Sequence, residues 1–273
     1  MIKKQLKKFI EKSGYQIIKK DAHILVSPTS KEDVNSFIKR LFPYQTDKDL
    51  IRLGPNSDGG YLIPDDIEGI QACFSPGVDN ISEFEQECIN RGIKVFMADK
   101  SVEKPNLSIP ADQYNFIKKH IGCTNNSDFI TMDDWVNSFH LKDNEDLLLQ
   151  MDIEGGEYNS LINMSDSLLK RFRILVIEFH FLQDLWNPHF FNMAKAVFDK
   201  IVQTHTCVHI HPNNCCGIDS RFGIEIPRVA EFTFLRNDRS NFDNYQTYFP
   251  HKLDFDNTKK DPIVLPKNWY KSS

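Results

Sequence analysis

Two apolar runs in this chain each stop on acids. Residues 147–157 read LLLQMDIEGGE, which ends in Asp152, Glu154 and Glu157 and is broken by Gly155 and Gly156. After a helical interval, RILVIEFH delivers Glu178 and His180 in the same way. Short apolar runs bounded by charge and glycine predict strands buried on both faces, as in a parallel sheet. Carboxylates placed where such strands stop lie at the carboxyl edge, where open α/β sheets bind their ligands. Asp152, Glu178 and His180 are therefore expected in one small region. Burying isolated carboxylates is costly without a partner, so Asp152 and Glu178 read as functional. Glu157, opening the next helix, reads as a cap.

Further along, Cys207-Val-His209-Ile-His211-Pro-Asn213-Asn214-Cys215-Cys216 is dense in side chains that bind metals. On a strand His209 and His211 share a face. The tight spacing fits none of the usual tetrahedral zinc patterns. An oxygen-rich site for Mg²⁺ or Mn²⁺, built from Asp152, Glu178 and one or both of His180 and His211, is one reading. A histidine base without a metal is the other. Asp254-Phe-Asp256-Asn starts like a calcium loop, but Lys259 stands at the glycine position and Leu265 at the closing glutamate position, so that reading fails.

The turn Ser75-Pro-Gly77-Val78 follows another apolar run and precedes Ser82-Glu-Phe-Glu85, a cap-like helix start. The next apolar run ends in Ala98-Asp99, an acid suited to a ribose diol. A single glycine is not a G-x-G-x-x-G, so a diphosphate cradle has little support. Asn56-Ser-Asp58-Gly59-Gly60-Tyr61 is a glycine turn that either feeds the extended YLIP or closes over a ligand at the sheet edge.

The elements that must position these residues alternate. Strands are predicted near 70–75, 93–98, 147–151 and 174–179, with helices near 82–91, 131–140 and 157–172 between them. Thr131 and Asp134 make a capping-box-like start, as does Ser30 for a helix over 31–41. A long helix follows Pro188, then strands near 206–211 and 231–236 joined without a helical pattern, which predicts an antiparallel pair at the sheet's edge. Repeated β-α units predict a doubly wound α/β sheet. Residues 1–45 read as a helical extension, 46–240 as the main domain and 241–273 as a tail that wraps its surface. The extension opens with a basic amphipathic pattern, Ile2, Leu6, Phe9 and Ile10 among lysines, which suits docking on its own domain or an anionic membrane.

Composition narrows the classes. With 33 Lys and Arg against 38 Asp and Glu, the formal charge is −5, which gives no electrostatic case for nucleic acid. No apolar run reaches a membrane span, and the N-terminus lacks a secretory signal. Six cysteines without a C-x-x-C read as reduced thiols, so a cytoplasmic protein is expected.

Over about residues 51–238 these motifs resemble the FkbM-type family of S-adenosylmethionine (SAM)-dependent O-methyltransferases. Gln150-Met-Asp152-Ile-Glu154-Gly155-Gly156-Glu157 is similar to the family's K-I-D-V-E-G-A-E, departing at Gln150 and Gly156 among others. Thr131-Met-Asp133-Asp134 resembles its T-L-D-D. The resemblance implies a Rossmann-like class I fold, with helices on both faces of a mostly parallel seven-stranded sheet ordered 3-2-1-4-5-7-6. It implies SAM as cofactor, held by Ser75, Gly77, Val78 and Ser82 around the turn and by Asp99 with Lys100. Asp58, Gly60, Tyr61 and Asp133 complete the expected cofactor set. It also implies a hydroxyl acceptor, here expected to be a sugar or sugar nucleotide for a surface glycan or capsular polysaccharide. Related sugar methyltransferases hold a divalent metal with acids at the positions of Asp152 and Glu178. His180 or His211 would then take the proton, with Asp152 the third catalytic residue. Glu154, Trp186, His209, Asn213 and Asn214 are the expected sugar contacts. A homo-oligomer stays open. So do a Rossmann-like binding module without chemistry, a metal-free histidine mechanism, and a metal-dependent hydrolase, although no hydrolase motif is present.

Overall fold

A computed structural model describes residues 27–271. The basic amphipathic segment at the N-terminus lies outside them. Helix α1 (Lys31–Lys39) is capped by Ser30, whose hydroxyl accepts from the Asp33 amide, and it buries Val34, Phe37 and Ile38. Strands β1 (Leu50–Leu53) and β2 (Tyr61–Pro64) pair antiparallel around the glycine turn. Then come β3 (Ala72–Pro76), α2 (Glu83–Asn90), β4 (Lys94–Ala98), β5 (Asn115–Ile117) and the short parallel pair β6 (His120–Gly122) and β7 (Phe129–Thr131). Helix α3 (Met132–Asn137) starts at Thr131, whose hydroxyl accepts from the Asp134 amide as the T-x-x-D pattern predicts. Strand β8 (Leu147–Met151) leads to α4 (Glu157–Asn163), α5 (Asp166–Arg171) and β9 (Phe172–Phe179). A 3₁₀ turn (Leu182–Trp186) precedes α6 (Pro188–Ile201) and β10 (His205–Pro212). The hairpin β11 (Ile218–Arg221) and β12 (Ile224–Pro227) comes next, before β13 (Ala230–Arg236).

Seven strands form one sheet in the order β10-β13-β9-β8-β3-β4-β5. Its β5-β4-β3-β8-β9 part is parallel, and β13 runs antiparallel to both β9 and β10. Every residue of β8 and β9 is buried, because helices cover one face and α2 with the β1–β2 hairpin covers the other. Side chains alternate between the two cores: Phe74, Leu149 and Ile177 face the helical layer, while Cys73, Leu148 and Val176 face the hairpin layer.

Three expectations need correction. The single helix over 157–172 is two, because the Ser165 hydroxyl accepts from the Leu168 amide and restarts the helix after Met164 turns extended. Ser82 makes no side-chain cap to α2, and its hydroxyl accepts from the Asn106 amide instead (3.3 Å). The tail does more than wrap the surface: Leu265 and Trp269 are buried in the main core, with Trp269 edge-on to Phe232. Among the described residues no helix is long and apolar enough to cross a membrane.

Candidate active site

The site grows from three strand ends. At the end of β3, Gly77 adopts φ +84°, and a Cβ there would lie 1.5 Å from the Asp152 carbonyl oxygen. Only glycine lets the turn lie this close to the end of β8. The contact is fastened by Asp152 N–H to Pro76 O (3.2 Å) and Gly77 N–H to Ala98 O (3.0 Å), so the turn bridges the ends of β4 and β8. Asp99 holds the turn from below. Its Oδ2 accepts from the amides of Val78 (3.1 Å) and Asp79 (3.0 Å), and its Oδ1 from the Ser101 amide (2.7 Å) and hydroxyl (2.6 Å). Burial works against its charge, but the bonds from Ser101, Asp79 and Val78 outweigh it and hold the carboxyl below its ordinary value. With four donors engaged, Asp99 binds a ribose only if the turn or Ser101 yields a bond.

After Asp152 the chain enters the left-handed region at Glu154 (φ 56°) and Gly155 (φ +100°). This bend carries Glu157 inward, fully buried, where Oε1 accepts from the amides of Ile153 (3.1 Å) and Gly155 (3.0 Å). The same oxygen lies 3.3 Å from His180 Nδ1. Glu157 thus fastens the turn that leads into α4, whose N-cap Gly156 makes no side-chain cap, and it is also the group that orients His180. With Nδ1–H directed at Glu157, Nε2 faces the other acids: Glu154 Oε2 at 3.3 Å, Glu178 Oε1 at 3.7 Å and Asp152 Oδ1 at 4.0 Å.

Asp152, Glu178 and His180 each offer one ligand atom within 4.8 Å of the others. Asp152 Oδ1 and Glu178 Oε2 are buried with no hydrogen-bond partner, while Glu178 Oε1 accepts from Asn213 Nδ2 (3.0 Å). Burial, together with the neighbouring acids Glu154, Glu157 and Asp58, pushes Asp152 up to about 7 against the pull of His180. Burial, Asp152 and Glu231 push Glu178 well above the carboxylate range. Burial lowers His180, but Glu157, Asp152 and Glu154 outweigh it and raise the ring. Two orphaned buried oxygens and His180 Nε2, which faces the exposed Glu154 carboxylate, make a donor set suited to a hard divalent cation.

Asp152 also lines a cavity of about 520 Å³ beneath the carboxyl edge. Among the described residues its wall includes Asp58, Asp79, Glu85, Asp99, Asp152 and Glu154, and no lysine or arginine. Of the expected cofactor residues, Asp58, Tyr61, Gly77, Val78 and Asp99 line it. Gly60, Ser75, Ser82, Lys100 and Asp133 do not. Gly60 closes the turn, since a Cβ there would meet Pro55 O at 2.0 Å. Ser75 is buried beside Gln150 (2.7 Å) and Glu85. Lys100 pairs with Asp128 (2.8 Å), and Asp133 accepts from the Ser165 amide (2.8 Å).

The acceptor-side expectations scatter. His211 is not brought to Asp152, Glu178 and His180; it sits opposite Glu231 on β13, with Nδ1 3.7 Å from Asp254. His209 Nε2 pairs with Asp254 at 2.8 Å. Asn214 ties down the tail through Thr258 and Lys260, and Trp186 is buried in the helical core. Glu154 stays exposed beside His180.

The residues that sequence reasoning missed in the cavity wall include Asp79, Glu85, Ser101, His120, Phe129 and Gln150. Ser75, Gln150, Glu178, Glu231 and His211 stand at positions where the strands' alternation calls for apolar side chains facing the hairpin layer. That run of polar breaks was a readable signal.

Residues 93–204 match the family model of the methyltransferase FkbM domain. The matched segment carries Asp99, Asp152, Glu157, Glu178 and His180, and it ends before β10. No curated protein matches the chain. Among solved structures, one described as "Conversion of a Disulfide Bond into a Thioacetal Group during Echinomycin Biosynthesis" is 12% identical, with 63% of this chain and 78% of that chain covered at a TM-score of 0.30. Spermidine synthase from Thermotoga maritima is 8% identical, with 77% of this chain and 87% of that chain covered at a TM-score of 0.33. Both likenesses are distant.

Proposed function

We propose that the protein is a SAM-dependent O-methyltransferase whose acceptor is a hydroxyl of a sugar or sugar nucleotide. The observation that carries this reading is the acidic cavity sharing Asp152 with the Asp152–Glu178–His180 cluster. Among the described residues the wall carries six acids, of which burial raises Glu85 and Asp152 to about 7, and no lysine or arginine, so its charge disfavours a diphosphate cofactor and attracts the sulfonium and ammonium of SAM. The FkbM domain match over 93–204 supports methyl transfer in the same segment.

Asp152, Glu178 and His180 Nε2 would hold a divalent cation. Such an ion supplies Lewis acidity that lowers the pKa of an acceptor hydroxyl. Glu157 fixes the His180 ring, Asn213 fixes Glu178, and the Gly77 turn brings the cavity up to Asp152, so acceptor and methyl donor meet at one strand end. A second reading needs no metal, and the Glu157–His180 contact favours it: His180 Nε2 takes the hydroxyl proton while Glu157 steadies the imidazolium.

Turnover of SAM with a panel of nucleotide-activated sugars, read as S-adenosylhomocysteine release, tests the proposal. Release is expected with a sugar acceptor and should disappear with a chelator if the cation is required. Activity that survives chelation selects the histidine mechanism. Faster turnover of catechols or peptide carboxylates would remove the sugar.

A further inference from the structure

Asp58 lines the cavity, yet its side chain is held from a residue 199 positions away. Asn257 Nδ2 donates to Asp58 Oδ1 (3.0 Å) and to Glu231 Oε1 (2.8 Å). Among the described residues no other hydrogen bond to either carboxylate is present. Glu231 stands directly across the sheet from Glu178 in the β9–β13 register. One buried amide thus joins the cavity wall to the acid beside the candidate metal ligands. Asn257 Oδ1 has no partner, and a flipped amide would set that oxygen against two carboxylates, so the orientation is fixed by chemistry.

A second fastening lies next to the first. The Arg52 guanidinium donates to Pro55 O (2.8 Å) and Ser57 O (2.9 Å) in the glycine turn and to Leu253 O (3.3 Å) in the tail, and it sits over the Phe255 ring at 5.1 Å. The turn before β2 and tail residues 253–257 are therefore stapled at two points. An uncharged double donor suits this place, because it bridges two acids without adding a charge of its own beside the Asp58 side chain that lines the cavity.

We propose that Asn257 is a positioning residue of the cofactor cavity, holding Asp58 where a cationic cofactor meets it and making the C-terminal tail part of the binding site. The inference rests on the SAM reading above. It predicts that Asn257→Ala weakens S-adenosylhomocysteine binding by roughly tenfold. Asn257→Asp, a third carboxylate in the same volume, should weaken it further.

The test is calorimetry of S-adenosylhomocysteine on the full chain for wild type, Asp58→Ala, Asn257→Ala and the double variant, each checked by thermal melting. If Asn257 acts through Asp58, the double variant loses no more than Asp58→Ala alone. Additive losses, or unchanged affinity in Asn257→Ala and Asn257→Asp, overturn the inference and leave the SAM reading standing. Absence of binding by wild type removes both. Should Asn257→Ala melt out, Asn257→Ser keeps one donor and should give an intermediate loss; wild-type affinity there overturns the inference equally.

Discussion

Two residues of the cavity wall make opposite demands on the fold. Gly77 is required by contact, since any Cβ meets the Asp152 carbonyl. Gly77→Ala should cost more than about 3 kcal/mol, read as a lower urea midpoint. Glu85 is tolerated at a cost. Burial raises its carboxyl to about 7 from 4.5, and the Ser75 hydroxyl beside it only partly offsets this. A carboxyl with a raised folded pKa contributes stability that is fully present below 4.5 and lost as pH rises through about 7. Glu85→Gln imitates the protonated acid, so at pH 8 it should be more stable than wild type by about 3 kcal/mol, with the gain vanishing near pH 4. Equal stability of the two proteins across that range would show that Glu85 is ionised and satisfied in the fold.

At the level of elements, the chemistry depends on strand ends that the sequence made legible. The run 147–151 is strand β8, and Asp152, Glu178 and His180 meet because β8 and β9 are parallel neighbours. The antiparallel edge pair β10–β13 was likewise readable from the missing helix between them. Strand β5 was not, because Asn115-Phe-Ile is three residues long and follows a polar loop without alternation. The break at Ser165 was hidden by a helical pattern continuous through it. His211 shares a strand with His209, but it lies beside the tail's Asp254, which hydrogen-bonds His209 (2.8 Å) and stands 3.7 Å from His211 Nδ1. Long-range capture of this kind has no local signature. For the cluster itself, Mn²⁺ or Mg²⁺ at 100 times its Kd should stabilise wild type by about 2.7 kcal/mol and leave Asp152→Asn unmoved. With Asp152 near 7, protons compete for the site, so the thermal shift should be larger at pH 8 than at pH 6. An equal shift in wild type and Asp152→Asn would place the cation elsewhere.

Across the whole molecule, the seven-stranded sheet carries its polar breaks at one edge, and tail residues 253–257 fasten the glycine turn whose Asp58 lines the cavity there. Every charged side chain lining the cavity among the described residues is an acid, although the chain as a whole is only mildly acidic. That contrast is what the proposed preference for a cationic cofactor over a diphosphate rests on. Calorimetric titration of the purified chain with SAM and, in parallel, with NAD⁺ measures it directly. One SAM site per chain, weakened by salt and by Asp58→Ala, and no heat from NAD⁺ are expected. Binding of NAD⁺ with no response to SAM at millimolar concentration would contradict it.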